Sequence, residues 1–141
     1  MTIKLTHLFA IVLLTALAAG CSKKVNKTEG LTGNWEWKST DGGLAAHLHQ
    51  TPASTGKTKR LKLSSNFQYY RYTNNTLTEQ GTYQLAEQTC IHDQKLKTVI
   101  RFSGAEEAFM VENVDHQQLL LSDENYDGVT ILYERNNLMD N

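Results

Sequence analysis

Two short segments of the chain carry side chains that could hold a metal ion. An extended backbone would place the imidazoles of His47 and His49 on one face, and likewise the thiol of Cys90 and the imidazole of His92. Together these four groups could form a soft metal site. The two pairs are far apart in the sequence, however, and neither has the two-residue gap of a zinc knuckle. We therefore predict that no metal is bound.

Other groups with catalytic potential are poorly arranged for catalysis. A nucleophile at Cys90 would need a preformed contact with a base, which His92 two residues further along a strand does not supply reliably. The adjacent carboxylates at 106–107 and 123–124 would point to opposite faces of a strand, unlike the paired acids of a glycosidase. The sequence contains no Gly-x-Ser-x-Gly, His-Glu-x-x-His or phosphate-cradling motif. We predict a protein that is not an enzyme, with no catalytic residue and no cofactor.

The N-terminal segment carries a different reactive group, the thiol of Cys21. Lys4 precedes an uncharged run from Leu8 to Gly20, which has the length of a signal-peptide core and is short for a membrane span. The run ends in the residues Leu-Ala-Ala-Gly-Cys at 17–21, which resemble the lipobox of bacterial lipoproteins. The resemblance implies cleavage after residue 20 and attachment of a diacylglyceryl group to Cys21, usually with a further acyl chain such as palmitate. Each buried CH₂ of such chains contributes about 0.8 kcal/mol, so two or three chains anchor a protein stably.

The segment after the lipobox is polar and lacks periodicity, which predicts a flexible tether. We therefore divide the chain into a signal peptide at 1–20, a lipidated tether at 21–30 and a folded domain at 31–136. Ser22 follows the cysteine where an aspartate would retain a Gram-negative lipoprotein in the inner membrane, which favours the outer membrane. The alternative is an ordinary secretory signal cleaved near Ala19.

Length and charge limit the possible classes of protein. The 141 residues suffice for about one domain. With 14 basic and 15 acidic residues the net charge is −1, so the chain lacks the basic excess of a nucleic-acid-binding protein. A hydrophobic content of 40% supports a packed core. Two cysteines, one of them predicted to be lipidated, do not form a disulfide framework.

From Leu31 onward the apolar residues recur with period two, which predicts strands. Turn residues such as Asp127-Gly128 separate the runs and indicate hairpins. Short links between the runs require antiparallel neighbours. We predict an all-β fold, an eight-stranded antiparallel up-and-down barrel that leaves no exposed edge. The strands are expected near 33–39, 58–64, 67–73, 78–85, 95–103, 107–113, 117–122 and 129–135.

The longest irregular region runs from Thr40 to Lys57 and contains the only proline, Pro52. A short helix is possible within Leu44 to Gln50. Because binding residues concentrate on such loops, the region is interpreted either as a lid over one barrel end or as a loose connection.

The predicted barrel has recognisable residues at both ends, because its first strand opens with Gly33-Asn34-Trp35 and its last closes with Tyr133-Glu134-Arg135. These residues resemble those of the lipocalin-like family of small bacterial lipoproteins. The segment at 81–83 and the leucine-rich run at 119–121 are similar to the family's central and penultimate strands. The resemblance implies that Arg135 packs over the indole of Trp35 and closes the barrel, a structural contact that contributes about 0.5–2 kcal/mol. The chain lacks the disulfide and the long C-terminal helix of vertebrate lipocalins.

An eight-stranded barrel encloses space for side chains or for one small ligand. By analogy with the fold we expect non-catalytic binding of a small, hydrophobic ligand, with Tyr69, Tyr72 and Phe109 as contacts. Tyr69 is expected to point inward, with Tyr70 and Tyr72 as the alternative. The second hypothesis is a protein-interaction module, an envelope-assembly accessory or an inhibitor of an attacking enzyme. A module predicts a packed interior and an exposed apolar patch near 40–57, whereas a ligand-binding barrel predicts small inward residues.

Overall fold

The computed structural model describes residues 30–104 and 108–137. The predicted signal peptide, Cys21, the tether up to residue 29 and the carboxylates at 106–107 lie outside these ranges. The described strands are β1 Gly33–Gly42, β2 Leu48–Gln50, β3 Lys59–Leu63, β4 Gln68–Thr73, β5 Thr76–Thr89, β6 Leu96–Phe102, β7 Ala108–Val114, β8 Gln118–Asp123 and β9 Val129–Arg135. A 3₁₀ turn at Leu44–Ala46 and a one-turn helix, α1 Pro52–Thr55, lie between β1 and β3. Within the described part of the chain, no helix has the length and apolar character needed to cross a membrane.

Eight of these strands close into an antiparallel barrel. Each strand from β3 to β8 pairs with its successor, and β1 pairs with both β3 and β9. The closing pair brings Trp35 opposite Arg135 and Trp37 opposite Tyr133. The predicted all-β, up-and-down barrel is therefore confirmed, and its strand positions agree closely with the period-two pattern.

The region from Thr40 to Lys57 is more ordered than its composition indicates. β1 continues to Gly42, and β2, a strand the sequence did not predict, pairs with its end. The helix considered possible within 44–50 is a single 3₁₀ turn followed by β2. In α1 the side chains of Thr51 and Ser54 form a capping box, and Gly56 in the left-handed region ends the helix. These elements are too short to show a periodic pattern in the sequence. They are held instead by pairing with β1 and by local caps.

The barrel interior is filled by large side chains from all eight strands. Trp35, Tyr69 and Leu119 have no exposed surface. Because the inward positions hold aromatic and branched residues, the interior packs as a solid core. The inward set comprises Leu31, Trp35, Leu61, Leu63, Tyr69, Tyr83, Ile100, Phe102, Phe109, Leu119 and Leu121, with Leu85, Val111, Val114, Ile131 and Tyr133 packed against it.

A second, smaller core lies on the outer side of the wall. Cys90, Val99 and Met110 are fully buried, and Ala86 and Ala108 pack against them. Val99 and Met110 adjoin Ile100 and Phe109 in sequence, and successive strand residues point to opposite faces, so this core is outside the barrel. Among the described residues, three pairs join β6 to β7, between 99–101 and 108–110. The far half of the β5–β6 hairpin, residues 86–98 (the arm), is thus not part of that ladder.

Polar contacts hold the arm against β7 and the end of β8. Lys97 Nζ lies 2.6 Å from Glu112 Oε2, and Ser122 Oγ donates to Glu112 Oε1 at 2.7 Å. Partial burial opposes ionisation of Glu112, but the hydrogen bonds from Lys97 and Ser122 outweigh it and hold the pKa of Glu112 below its usual value. The backbone N–H of Ile91 donates to Glu124 Oε2 at 3.3 Å. The arm is therefore clamped at two places on the outer wall.

Candidate functional site

One end of the barrel, which we call the sealed end, is closed by the side chains of Trp35 and Arg135. The guanidinium carbon of Arg135 lies 4.2 Å from the centroid of the Trp35 ring. Its two terminal nitrogens donate to the carbonyls of Thr32, at 2.8 Å, and Gly30, at 2.6 Å. Trp35 Nε1 donates to the carbonyl of Leu31 at 2.7 Å. The predicted stacking is present, and Trp35 Nε1 and both terminal nitrogens of Arg135 bind backbone carbonyls, as is typical of a structural contact.

The glycine of the Gly-x-Trp segment is explained by the same contact. Gly33 has φ +145°, a conformation that L side chains rarely adopt. A Cβ atom at this position would lie 2.2 Å from Nη1 of Arg135. Gly33 therefore makes room for the guanidinium that covers Trp35.

Tyr69 points into the barrel, as expected, and its ring and hydroxyl are both engaged there. The ring packs edge-on against Phe102, with centroids 4.7 Å apart. The hydroxyl donates to Glu79 Oε1 at 2.5 Å, and the carbonyl of Ser103 lies 3.0 Å away. Burial, reinforced by the Glu79 carboxylate, raises the pKa of Tyr69. Arg71 binds the other carboxylate oxygen of Glu79 at 2.8 Å, so Tyr69 belongs to a satisfied polar network in the core.

The three aromatic residues predicted as ligand contacts do not meet at one mouth. Tyr72 faces outward beneath Arg60, whose guanidinium carbon lies 4.2 Å from the ring centroid, and both line a cavity in the wall. Phe109 is buried and lines a separate cavity of about 470 Å³ together with Val129 and Ile131. Tyr69 lines neither of these cavities.

The opposite end of the barrel, the loop end, presents exposed apolar side chains. It carries the β1–β2 turn and the β8–β9 turn, which are joined by a 3.0 Å hydrogen bond from Gly43 N to Gly128 O. Leu44 in the first turn is 74% exposed, and Tyr126 in the second is 87% exposed. The His92 ring of the arm lies edge-on to Tyr126, with centroids 6.3 Å apart. The loop end therefore gathers side chains from three parts of the chain.

The turn that carries Leu44 is conformationally strained. Ala45 and Ala46 have φ values of 59° and 54°, in the left-handed region. This region costs a non-glycine residue about 1–2 kcal/mol. Strained backbone of this kind clusters at sites of recognition, since there it holds a side chain in a fixed presentation.

A cavity of about 380 Å³ adjoins Tyr126 on the outer wall. Its acidic lining includes Asp41, Glu112 and Asp123. Hydrogen bonds from Ser39 and His49 hold the pKa of Asp41 below its usual value. His49 Nδ1 lies 2.5 Å from Asp41 Oδ1. The loop end thus combines exposed apolar side chains with nearby carboxyl groups.

The four candidate metal ligands are not brought together into a metal site. His49 pairs with Asp41, and His47 ends the 3₁₀ turn. Cys90 is a buried free thiol in the outer core, whereas His92 is exposed. Within residues 30–104 and 108–137, no group of three or more His, Cys, Asp or Glu side chains is arranged to hold a metal ion.

Sequence reasoning did not single out Leu44 or Tyr126. A signal was present for Tyr126, because it is the one aromatic residue in an otherwise polar turn between two strands, Asp-Glu-Asn-Tyr-Asp-Gly at 123–128. A large aromatic residue in such a turn has no core to join, so it must be exposed or must cover something. Leu44 has a similar signal, since it follows two glycines just beyond the end of β1.

The closed eight-stranded antiparallel barrel is consistent with a lipocalin-like fold. No protein-family model, curated protein or solved structure matches the chain.

Proposed function

We propose that this protein is a non-catalytic cell-envelope lipoprotein whose barrel serves as a protein-interaction module. The observation that carries the proposal is the filled interior, in which Trp35, Tyr69, Tyr83 and their neighbours occupy the space a ligand would need. An eight-stranded barrel has room for packed side chains or for one small ligand, and here the centre is taken by side chains. A partner would therefore bind to the outer surface of the barrel.

The loop end is the surface best suited to a protein partner. The described chain enters the barrel at the sealed end, where Arg135 binds the carbonyls of Gly30 and Thr32. A tether attached there leaves the opposite end free to face a partner. Exposed aromatic side chains such as Tyr126 are typical of the residues that dominate interface energies. The apolar tip at Leu44 lies within the region 40–57, where an interaction module was expected to expose one.

The proposal also covers the cellular location of the protein and its family. The lipobox-like segment before Cys21 supports membrane anchoring through acyl chains, and Ser22 supports the outer membrane of a Gram-negative bacterium. The fold, Gly33 and the Trp35–Arg135 stack support membership of the lipocalin-like lipoproteins. Labelling with radioactive palmitate tests the address, because Cys21→Ser should abolish incorporation and release the protein from membranes. Label retained by the serine variant would contradict it.

Binding of a small hydrophobic ligand is the second candidate. The observation in its favour is the cavity beside Phe109, Val129 and Ile131, whose volume of about 470 Å³ lies within the range of small-molecule sites. Such a ligand would sit at the edge of the barrel core, not at its centre.

Site-specific photocrosslinking in the intact envelope tests the interaction module. A photoreactive phenylalanine analogue at Leu44 or Tyr126 should give one discrete adduct, of the same size at both positions. The matched control is Leu96, which is 65% exposed on the arm and should give none. Identical adducts at all three positions, or none at Leu44 and Tyr126, would contradict the proposal.

Native mass spectrometry of the gently purified protein separates the two candidates. The interaction module predicts a mass equal to that of the acylated chain alone. A fractional increment matching a small molecule, lost when Phe109 is replaced by alanine in a folded variant, would favour the ligand-binding barrel instead.

A further inference from the structure

The cavity of about 470 Å³ beside Phe109 lies at the rim of the barrel, where β8 ends and the β8–β9 turn begins. Phe109 of β7 and both Val129 and Ile131 of β9 form its apolar wall. β8 lies between those two strands, and its register sets Asp123 opposite Phe109. The cavity therefore joins an apolar wall to a polar turn.

The polar part of the cavity lining is acidic. Asp123 and Glu124 both line the cavity, and no described lining residue is basic. Neither carboxyl group forms an ion pair within the described part of the chain. A cation that entered the cavity would therefore not compete with a basic side chain of the protein for these groups.

Asp123 uses its oxygens to shape the turn. Its Oδ1 accepts from Val129 N at 3.0 Å and from Asn125 N at 3.4 Å, and its Oδ2 accepts from Asn125 Nδ2 at 3.3 Å. These bonds engage most of the acceptor positions of the carboxyl group. Asp123 therefore makes the cavity acidic, but a further hydrogen bond to a ligand has to come from another residue.

Glu124 has an oxygen without a donor. Its Oε2 accepts two long hydrogen bonds from the arm, from Ile91 N at 3.3 Å and from Gln88 Nε2 at 3.4 Å. Its Oε1 is buried and has no hydrogen-bond partner within the described residues. Burying an acceptor without a donor is unfavourable. Because the last side-chain dihedral of glutamate is soft, a small rotation can turn this oxygen toward a donor in the cavity.

We propose that this cavity binds a small molecule that carries an amine on an apolar body, and that Glu124 receives the amine. A protonated amine supplies both the donor that Glu124 Oε1 lacks and the charge that a carboxyl group favours. The apolar body would pack against the wall formed by Phe109, Val129 and Ile131. Recognition depends on a single carboxyl group, since the oxygens of Asp123 are engaged in the turn. The inference rests on the ligand-binding candidate above and assigns its ligand to a chemical class.

Isothermal calorimetry on the full mature chain carrying Cys21→Ser tests the assignment with a matched set of probes. Phenethylamine, phenethyl alcohol and phenylpropanoate share an aromatic body and differ in their end group, whereas methylamine carries the charge without the body. Phenethylamine should bind saturably and about tenfold more tightly than phenethyl alcohol, because a charge-assisted hydrogen bond is stronger than a neutral one. Salt should weaken the binding of the amine and not that of the alcohol. Phenylpropanoate and methylamine should bind more weakly than phenethylamine.

Matched variants locate the interaction at Glu124. Glu124→Gln keeps the shape of the side chain but removes the acidic group, so it should weaken phenethylamine binding about tenfold and leave phenethyl alcohol unchanged. Asp127→Asn removes an acidic group from the same turn, at an exposed position that does not line the cavity, and should change neither affinity. The melting temperature of each variant confirms that it folds. Equal losses of amine binding in the two variants, or loss of both probes in Glu124→Gln, would overturn the proposal.

The probe series also separates the amine assignment from the ligand-binding candidate on which it rests. Equal affinities for phenethylamine and phenethyl alcohol would overturn the amine assignment and would leave an apolar site beside Phe109. Absence of binding by every probe would overturn both.

Discussion

The two ends of the barrel use their polar and aromatic groups in opposite ways. At the sealed end, Trp35 is buried and both terminal nitrogens of Arg135 bind backbone carbonyls. At the loop end, Leu44 projects into solvent from a strained turn, and Tyr126 projects from a turn that backbone hydrogen bonds close. The comparison indicates that buried aromatic and polar contacts are concentrated at the end where the described chain enters, whereas the other end leaves large side chains exposed on its turns.

The loop end is nevertheless ordered. Asp123 Oδ1 accepts from the backbone N–H of Val129 at 3.0 Å, which closes the β8–β9 turn. Glu124, the next residue, accepts from Ile91 of the arm. The arm thus braces the turn that carries Tyr126, and loss of its clamps should loosen the loop end before the sealed end.

Replacing the buried indole should have the largest effect. Trp35→Ala removes the side chain that closes the sealed end and leaves a cavity, so we expect the free energy of unfolding to fall by about 3–5 kcal/mol. Urea denaturation followed by circular dichroism measures the loss. Tyr126→Ala is the control at the loop end and should change stability by less than about 0.5 kcal/mol. Comparable losses in the two variants would contradict the difference between the ends.

Replacing Arg135 at the sealed end should have the next largest effect on stability. Arg135→Met removes the cation over Trp35 and the donors to Thr32 and Gly30, which should lower the unfolding free energy by about 2–3 kcal/mol. Arg135→Lys should recover only part of this, because an ammonium group does not reproduce the planar fork of donors. Thermal melting of both variants provides the measurement. Full recovery by lysine would show that charge alone matters at this position.

Acid should act on the arm more than on the sealed end. The pKa of Glu112 in the folded protein is lowered from its usual 4.5, so its contribution is fully present above that value. The contribution is lost as pH falls through the lower folded-state pKa. Hydrogen exchange measured from neutral to acid pH should show the amides around Glu124 losing protection before those around Trp35.

Glu112→Gln is the matched variant for the acid experiment. It should lower stability at neutral pH by about 1–3 kcal/mol and flatten the pH dependence, since the titrating group is gone. An unchanged pH profile in this variant would place the acid sensitivity elsewhere.

The strands could be predicted because their determinants are local, whereas the contact at the sealed end joins the first and last strands and was predicted from the resemblance to lipocalin-like lipoproteins. Alternating apolar residues define each strand, and Gly33, Trp35 and Arg135 stand near strand ends, as the resemblance implied. The alternation placed Tyr69 on one face of its strand and Tyr70 and Tyr72 on the other, but it did not decide which face points inward. A bulge between Arg71 and Tyr72 then shifts the pairing of β4 with β5.

The arm and the two candidate surfaces depend on contacts between distant segments. The predicted fourth strand ended at residue 85, because Ala86 to Thr89 offers no apolar alternation, yet β5 continues to Thr89. The adjacent Val99 and Ile100 in β6 were a partial signal, since consecutive buried residues require burial on both faces. The arm, a hairpin that folds back over the wall, covers the outer face of β6 and β7. The gap in the wall beside Trp37 arises where the β1–β3 and β1–β2 ladders end. Neither feature has a local sequence pattern.

Substitutions in the β1–β2 turn should have the smallest effect on stability, and one of them also tests the loop end as an interaction surface. Leu44→Ser alters a 74% exposed side chain, so the unfolding free energy should move by less than about 0.5 kcal/mol. Ala45→Gly relieves the left-handed strain at φ 59° but adds chain entropy to the unfolded state, and these opposing effects leave a net stabilisation below about 1 kcal/mol. Both variants should melt close to the parent protein.

If the loop end is the interaction surface, Leu44→Ser should abolish the crosslinked adduct formed from Tyr126, whereas the same substitution at the exposed Leu77 of β5 should leave it intact. An adduct that survives Leu44→Ser would separate the two turns, and the surface would then reduce to Tyr126 and the acidic cavity beside it.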